Sequence, residues 1–169
     1  LYFIIGIVTL PNYGVNWDEV NHLTRGQAYI YFFLTGREHY DQKLLEGPRH
    51  SLYQIKGYDF AYQKAKDGDH PVFSDNISAF FNYLFFQKLG WFSDMDSSHI
   101  YGPFVVTIFL FFLYFWVERA YSPFAALISV ISLMLYPLFY GESHFNVQKD
   151  IPEAVFYGLA SLALQSCFT

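Results

Sequence analysis

Hydrophobic and polar positions along this chain fall into blocks. Leu1 to Leu10 is apolar and uncharged, and a long mixed stretch follows. Ile100 to Val117 and Phe124 to Gly141 then run without a charge, separated by Glu118-Arg119-Ala120-Tyr121-Ser122-Pro123, and the chain closes on an uncharged run from Ala154 to Thr169. Uncharged runs of this length are long enough to cross a bilayer as helices. The pattern predicts an all-α polytopic membrane protein with about four transmembrane helices. The first (1–13) and last (152–169) are truncated, and the second and third span 99–118 and 124–141. A large first external loop covers 14–98, and a short second one covers 142–151.

Inside the first loop the period changes. Val20, Leu23, Ile30 and Leu34 recur at near-helical spacing, with Asn21, Thr24, Arg25 and Gln27 between them, which predicts a surface helix over about 17–35 ended by Gly36. A second amphipathic helix is expected over about 75–89. It has an apolar stripe of Ile77, Phe80, Phe81, Leu84 and Phe85, a cap at Ser74-Asp75 and a C-terminal stop at Gly90. Arg37 to Asp69 has no sustained period and reads as an irregular loop with one short helix around Tyr58 to Lys66.

Composition sharpens this division. The 169 residues are 53% hydrophobic and 22% aromatic, yet the mean hydropathy is only +0.18, because 19 of the 25 charged residues lie between Gly14 and Asp96. The first apolar run has neither an initiator Met nor a basic flank, so it reads as the second half of a membrane helix rather than a signal peptide, and the chain as an excerpt of a larger protein. A net charge of −5 with no basic run argues against nucleic acid as a partner. The single cysteine, Cys167, forms no internal disulfide.

Candidate chemistry gathers at the edges of the apolar runs. Asn16-Trp17-Asp18-Glu19 follows the first one. Asn16 suits a helix N-cap, and Glu19 is placed to reach back to its backbone amide as in a capping box. That use of Glu19 leaves Asp18 the better candidate for a base, a hydrogen-bond acceptor or a cation ligand. The bland alternative is an acidic pair that only stabilises a helix start. The second cluster, Glu142 to Glu153, includes His144, Asn146, Lys149 and Asp150, more ionisable groups than a turn requires. Lys149 suits a phosphate as a point charge, with Asp150 and Glu142 orienting it or holding a cation. Asp18 and His22 lie four apart, on one helix face, and with His144 they form a weak metal candidate set. A divalent metal is thus an open possibility, and no cofactor is assigned.

Taken in order, these features resemble the polytopic glycosyltransferases of the C superfamily, most closely the dolichyl-phosphate-mannose protein mannosyltransferases and their bacterial and archaeal relatives. The shared pattern is Asp18-Glu19 directly after the first membrane helix, a large loop with surface helices and the His70-Pro71 element, a helical hairpin, and a second loop reading His144-Phe145-Asn146-Val147-Gln148-Lys149-Asp150-Ile151-Pro152. The resemblance implies inverting transfer of mannose or another hexose from a polyprenyl-phosphate or dolichyl-phosphate donor to a protein, lipid or glycan acceptor on the external or lumenal face of a membrane. It further implies that Asp18 is the base, with Glu19 beside it. Lys149 and Asp150 would lie near the lipid phosphate, with Glu142, His144 and His70 as further donor-binding candidates. The later helices of such enzymes are missing from this sequence. Two other classes compete: a transporter or channel fragment, whose sites lie near the bilayer midplane, and a non-catalytic membrane scaffold.

Overall fold

The structure is a computed structural model that describes residues 1–66 and 71–167. The described residues contain no strand, in agreement with the all-α expectation. The helices are α1 (Tyr2–Thr9), α2 (Glu19–Thr35), α3 (Gln42–Leu45), α4 (Phe60–Lys66), α5 (Phe73–Asn82), α6 (Asp94–His99), α7 (Tyr101–Ala120), α8 (Pro123–Met134), α9 (Pro137–Phe145) and α10 (Asp150–Ser166). They form two compact units: an apolar one of Leu1–Tyr13 with Gly102–Thr169, and a polar one of Gly14–Tyr101.

The polar unit is built on α2 packed against α5. Gly26 makes the approach possible, because a Cβ at that position would run into the backbone carbonyl of Asp75. Both helices stop as their glycines dictate. Gly36 follows α2 at φ +69, with its N–H bonded to Phe32 O at 2.8 Å. The last turns after α5 widen into a π-helix over Tyr83–Lys88, ended by Gly90 at φ +65. Both are left-handed positions that glycine occupies without a Cβ penalty.

Burial decides which face of α5 is turned inward. Asp75, Ser78, Ala79 and Asn82 face inward, while Phe73 and Phe80 are exposed. On α2, Arg25 and Gln27 are buried, whereas Val20, Phe33 and Leu34 are exposed. The inward polar groups are held by side-chain bonds. Asn82 Nδ2 donates to Asp94 Oδ1 at 2.7 Å and to Ser97 Oγ at 3.0 Å, and Ser78 Oγ donates to Ser98 O at 2.8 Å. Hydrogen bonding of this kind removes most of the penalty for burying polar groups. Asp75, expected as a cap, is instead a buried ion-pair partner.

The run Asp94–Ala120, of which Gly102 onward belongs to the apolar unit, is the one stretch among the described residues long and apolar enough to cross a membrane as a single helix, with a mean hydropathy of 2.1 in its best window. The expected third span is not one straight helix. α8 ends at Met134, and α9 leaves at a 60° bend. Pro137 explains the break: it lacks an N–H to continue the α8 ladder and drives Tyr136 into the extended region at ψ 112. Counting α8 and α9 together as one bent span gives two crossings. The second loop also shortens. Glu142–Phe145 is the last turn of α9, Asn146 N bonds to Glu142 O at 2.9 Å, and α10 begins at Asp150 with Pro152 in its first turn, where a missing N–H is harmless.

Candidate functional site

Two groups of ionisable side chains stand out, one in each unit. In the polar unit, residues 16–19 form the entry to α2. Glu19 Oε2 accepts the backbone N–H of Asn16 at 3.0 Å, which is the reach-back expected of a capping box. The other half of the box is absent: Asn16 Oδ1 accepts from Trp17 N at 2.8 Å, and the N-cap position is Asp18. Glu19 Oε1 lies 2.7 Å from Nε2 of His99, and both side chains are sealed from solvent. Glu19 is therefore engaged on both oxygens, while Asp18 stays half-buried and Trp17 projects outward at 89% exposure.

His99 was not apparent from sequence, where it reads as the last polar residue before an apolar run. Its Nδ1 is buried without a hydrogen-bond partner among the described residues. That orphan argues for a neutral ring whose Nε2–H donates to Glu19, since a second N–H with no acceptor costs more than an unused lone pair. Tyr53 registers the same charges. Burial first, then the nearby Asp94 and Glu19 carboxylates, push its phenol above its ordinary range.

A second buried set lies further along α2. Arg25 Nε donates to Asp75 Oδ2 at 2.5 Å, and His22 Nδ1 lies 3.1 Å from Asp75 Oδ1 and 2.9 Å from Arg25 Nη2. Sequence reasoning placed His22 with Asp18 as a metal candidate. A guanidinium against the ring opposes a cation there, and no group of three or more His, Cys, Asp or Glu among the described residues is arranged to hold a metal. The i, i+3 spacing of His22 and Arg25 was readable, but the third partner, on another helix, was not.

In the apolar unit Asn146 joins the two carboxylates of the second cluster, its Nδ2 donating to Glu142 Oε2 at 2.9 Å and to Asp150 Oδ2 at 2.7 Å. Lys149 is exposed at the N-cap of α10, next to this clamp. His144 corrects its assignment as a phosphate or metal ligand. Its ring is fully buried, Nδ1 bonds to Tyr140 O at 2.7 Å, Nε2 meets Thr9 Oγ1 at 2.9 Å, and the ring stacks on Tyr13 at 4.4 Å. A ring so packed ties α9 to residues 9–13 and has no nitrogen to offer a ligand. His70 lies outside the described residues.

No family model matches this chain, and no curated protein or solved structure does either.

Proposed function

We propose that the chain is part of an integral, multi-pass membrane glycosyltransferase of the C superfamily type. It would transfer a hexose from a polyprenyl-phosphate carrier to a hydroxyl-bearing acceptor on the external or lumenal face. The observation that carries the reading is the split within the acidic pair. Glu19 is locked by the Asn16 amide and His99, while its neighbour Asp18 stays half-exposed at a helix start, where a carboxylate is placed to accept a proton from an attacking hydroxyl. Within the apolar unit by itself, Lys149 beside the Asn146-bridged carboxylates is the type of charge that binds a phosphate.

Two further features support a membrane setting and a count of about four spans. The polar unit turns large aromatic and aliphatic side chains outward and hydrogen-bonded polar ones inward, which suits a unit resting against lipid. The apolar unit contributes α7, the bent α8–α9 pair and the shorter apolar helix over Tyr2–Asn12, and in this reading α10 is the start of the fourth span. The test compares wild type with Asp18→Asn in detergent, following release of polyprenyl phosphate from a panel of polyprenyl-phosphate sugars offered with candidate acceptors. A folded, inactive variant beside an active wild type supports the assignment, and a fully active variant removes Asp18 from the chemistry.

A transporter reading draws on one observation, the 60° break at Pro137, because transport sites favour broken helices. It predicts substrate uptake into vesicles and no release of polyprenyl phosphate from any donor.

A further inference from the structure

The apolar unit carries an open groove between α7 and α10. The two helices meet at Gly158, where a Cβ would press on the Phe109 ring. Past that contact, Phe112, Phe115, Trp116 and Arg119 lie at i, i+3, i+4 and i+7 on one face of α7, and a stripe of the same spacing on α10 runs from Leu159 to Ser166. Together they line a space of about 470 Å³, which falls within the roughly 300–1,000 Å³ of clefts that take small ligands. Its walls are mostly apolar, and Phe112 and Phe115 are half exposed along it.

The free polar groups of the α7 stripe are confined to its C-terminal end. Arg119 is in the last turn of α7, and Trp116 stands one turn before it. Neither the Arg119 guanidinium nor the Trp116 indole N–H has a hydrogen-bond or ion-pair partner among the described residues. The adjacent Glu118 is not part of the lining, and Ser166, which closes the α10 stripe, donates its hydroxyl proton to Leu162 O at 2.8 Å. Two free donors, one of them a full positive charge, thus end an apolar channel. That combination fits a ligand with an apolar tail and an anionic acceptor at its head. An apolar helix laid in the same groove would leave the guanidinium without an anion. Trp and Arg at the end of a spanning helix are also the residues that meet lipid headgroups.

We propose that this groove binds an anionic phospholipid, with one acyl chain between the two stripes and the phosphate on Arg119 and Trp116. The proposal rests on the membrane setting inferred above and is independent of the transfer reaction. The site is separate from the Lys149 clamp, since Leu159 lies ten residues beyond Lys149, about 15 Å along α10.

Native mass spectrometry of the delipidated protein in detergent tests it, comparing palmitoyl-oleoyl phosphatidylglycerol with the phosphatidylcholine of the same chains. The phosphatidylglycerol adduct should exceed the phosphatidylcholine adduct about fivefold, the effect of one basic side chain at an anionic lipid surface. Arg119→Gln should bring the two lipids level, and Arg119→Lys should keep much of the preference. Lys56→Gln, which removes a charge from an exposed position in the polar unit, should change nothing. Leu159→Trp, which fills the groove, should lower uptake of both lipids. Equal adducts in the wild type, a preference that survives Arg119→Gln, an equal loss with Lys56→Gln, or uptake indifferent to Leu159→Trp overturns the proposal. Where Leu159→Trp unfolds the protein, Arg119→Gln, at an exposed side chain, decides. Dimers that vanish with Leu159→Trp while lipid adducts are absent overturn it in favour of a second copy of the chain.

The membrane setting is read separately, by alkaline carbonate washing of membranes from expressing cells. Protein released by carbonate refutes that setting and the lipid site with it. Protein that is retained but shows no preference for phosphatidylglycerol refutes the lipid site alone.

Discussion

Glu19 Oε1 and His99 Nε2 stand 2.7 Å apart with both side chains sealed from solvent, joining the first turn of α2 to the last residue of α6. Because Glu19 also holds the Asn16 amide, this contact fixes the backbone on which Asp18 sits. Removing one partner strands a buried carboxylate. His99→Leu should therefore destabilise the polar unit by roughly 1.5–3 kcal/mol, the range for a lost hydrogen bond to a charged group. Denaturant unfolding followed by Trp fluorescence checks this, and amide exchange at Asn16 should accelerate before exchange within α2.

Gly26→Ala tests the α2–α5 packing. The new Cβ would meet the Asp75 carbonyl and crowd the Ala79 side chain at 3.1 Å, so backbone, not a flexible side-chain tip, must move. The expected loss is about 1–3 kcal/mol. A melting temperature equal to that of wild type would mean that the two helices can separate without penalty.

Asn146 offers a test in the apolar unit. Asn146→Asp replaces a donor shared by two carboxylates with a third acidic group, whereas Asn146→Ala only removes the bridge. The aspartate variant should be the less stable of the two at neutral pH, with the gap closing as pH falls through the carboxylate range. Paired thermal melts at neutral and acidic pH measure that gap.

Alkaline titration probes the buried phenols. Burial raises both Tyr40 and Tyr53 above their ordinary value of 10.0, helped by Asp59 and Tyr31 at Tyr40 and by Asp94 and Glu19 at Tyr53. With folded pKa values above the unfolded one, the folded state holds more protons above pH 10. Stability from these groups is thus complete below that pH and is lost as pH rises through the folded values. Phenolate absorbance should show Tyr40 and Tyr53 ionising in a late phase that coincides with unfolding. Loss of the late phase in Tyr53→Phe identifies its share.

Local features of this protein were determined by the sequence alone. Gly36 and Gly90 stop their helices where residue type demands a left-handed backbone, and Glu19 reaches back to Asn16 because the turn before α2 brings them together. The uncharged run from Ile100 to Val117 announced its helix by composition. What faces what was decided only by tertiary structure. Arg25, Gln27 and Asp75 looked like surface residues of amphipathic helices, yet they are buried, because partners on other helices satisfy Arg25 and Asp75 and a glycine lets the backbones meet. His99 pairs with a residue 80 positions away, and His144, which read as a ligand, is used up by Tyr140, Thr9 and Tyr13. A single chain read in order carries helix periods and stops, which depend on neighbours a few residues apart. It does not carry the long-range hydrogen bonds that decide whether a polar group stays in solvent or is drawn inside.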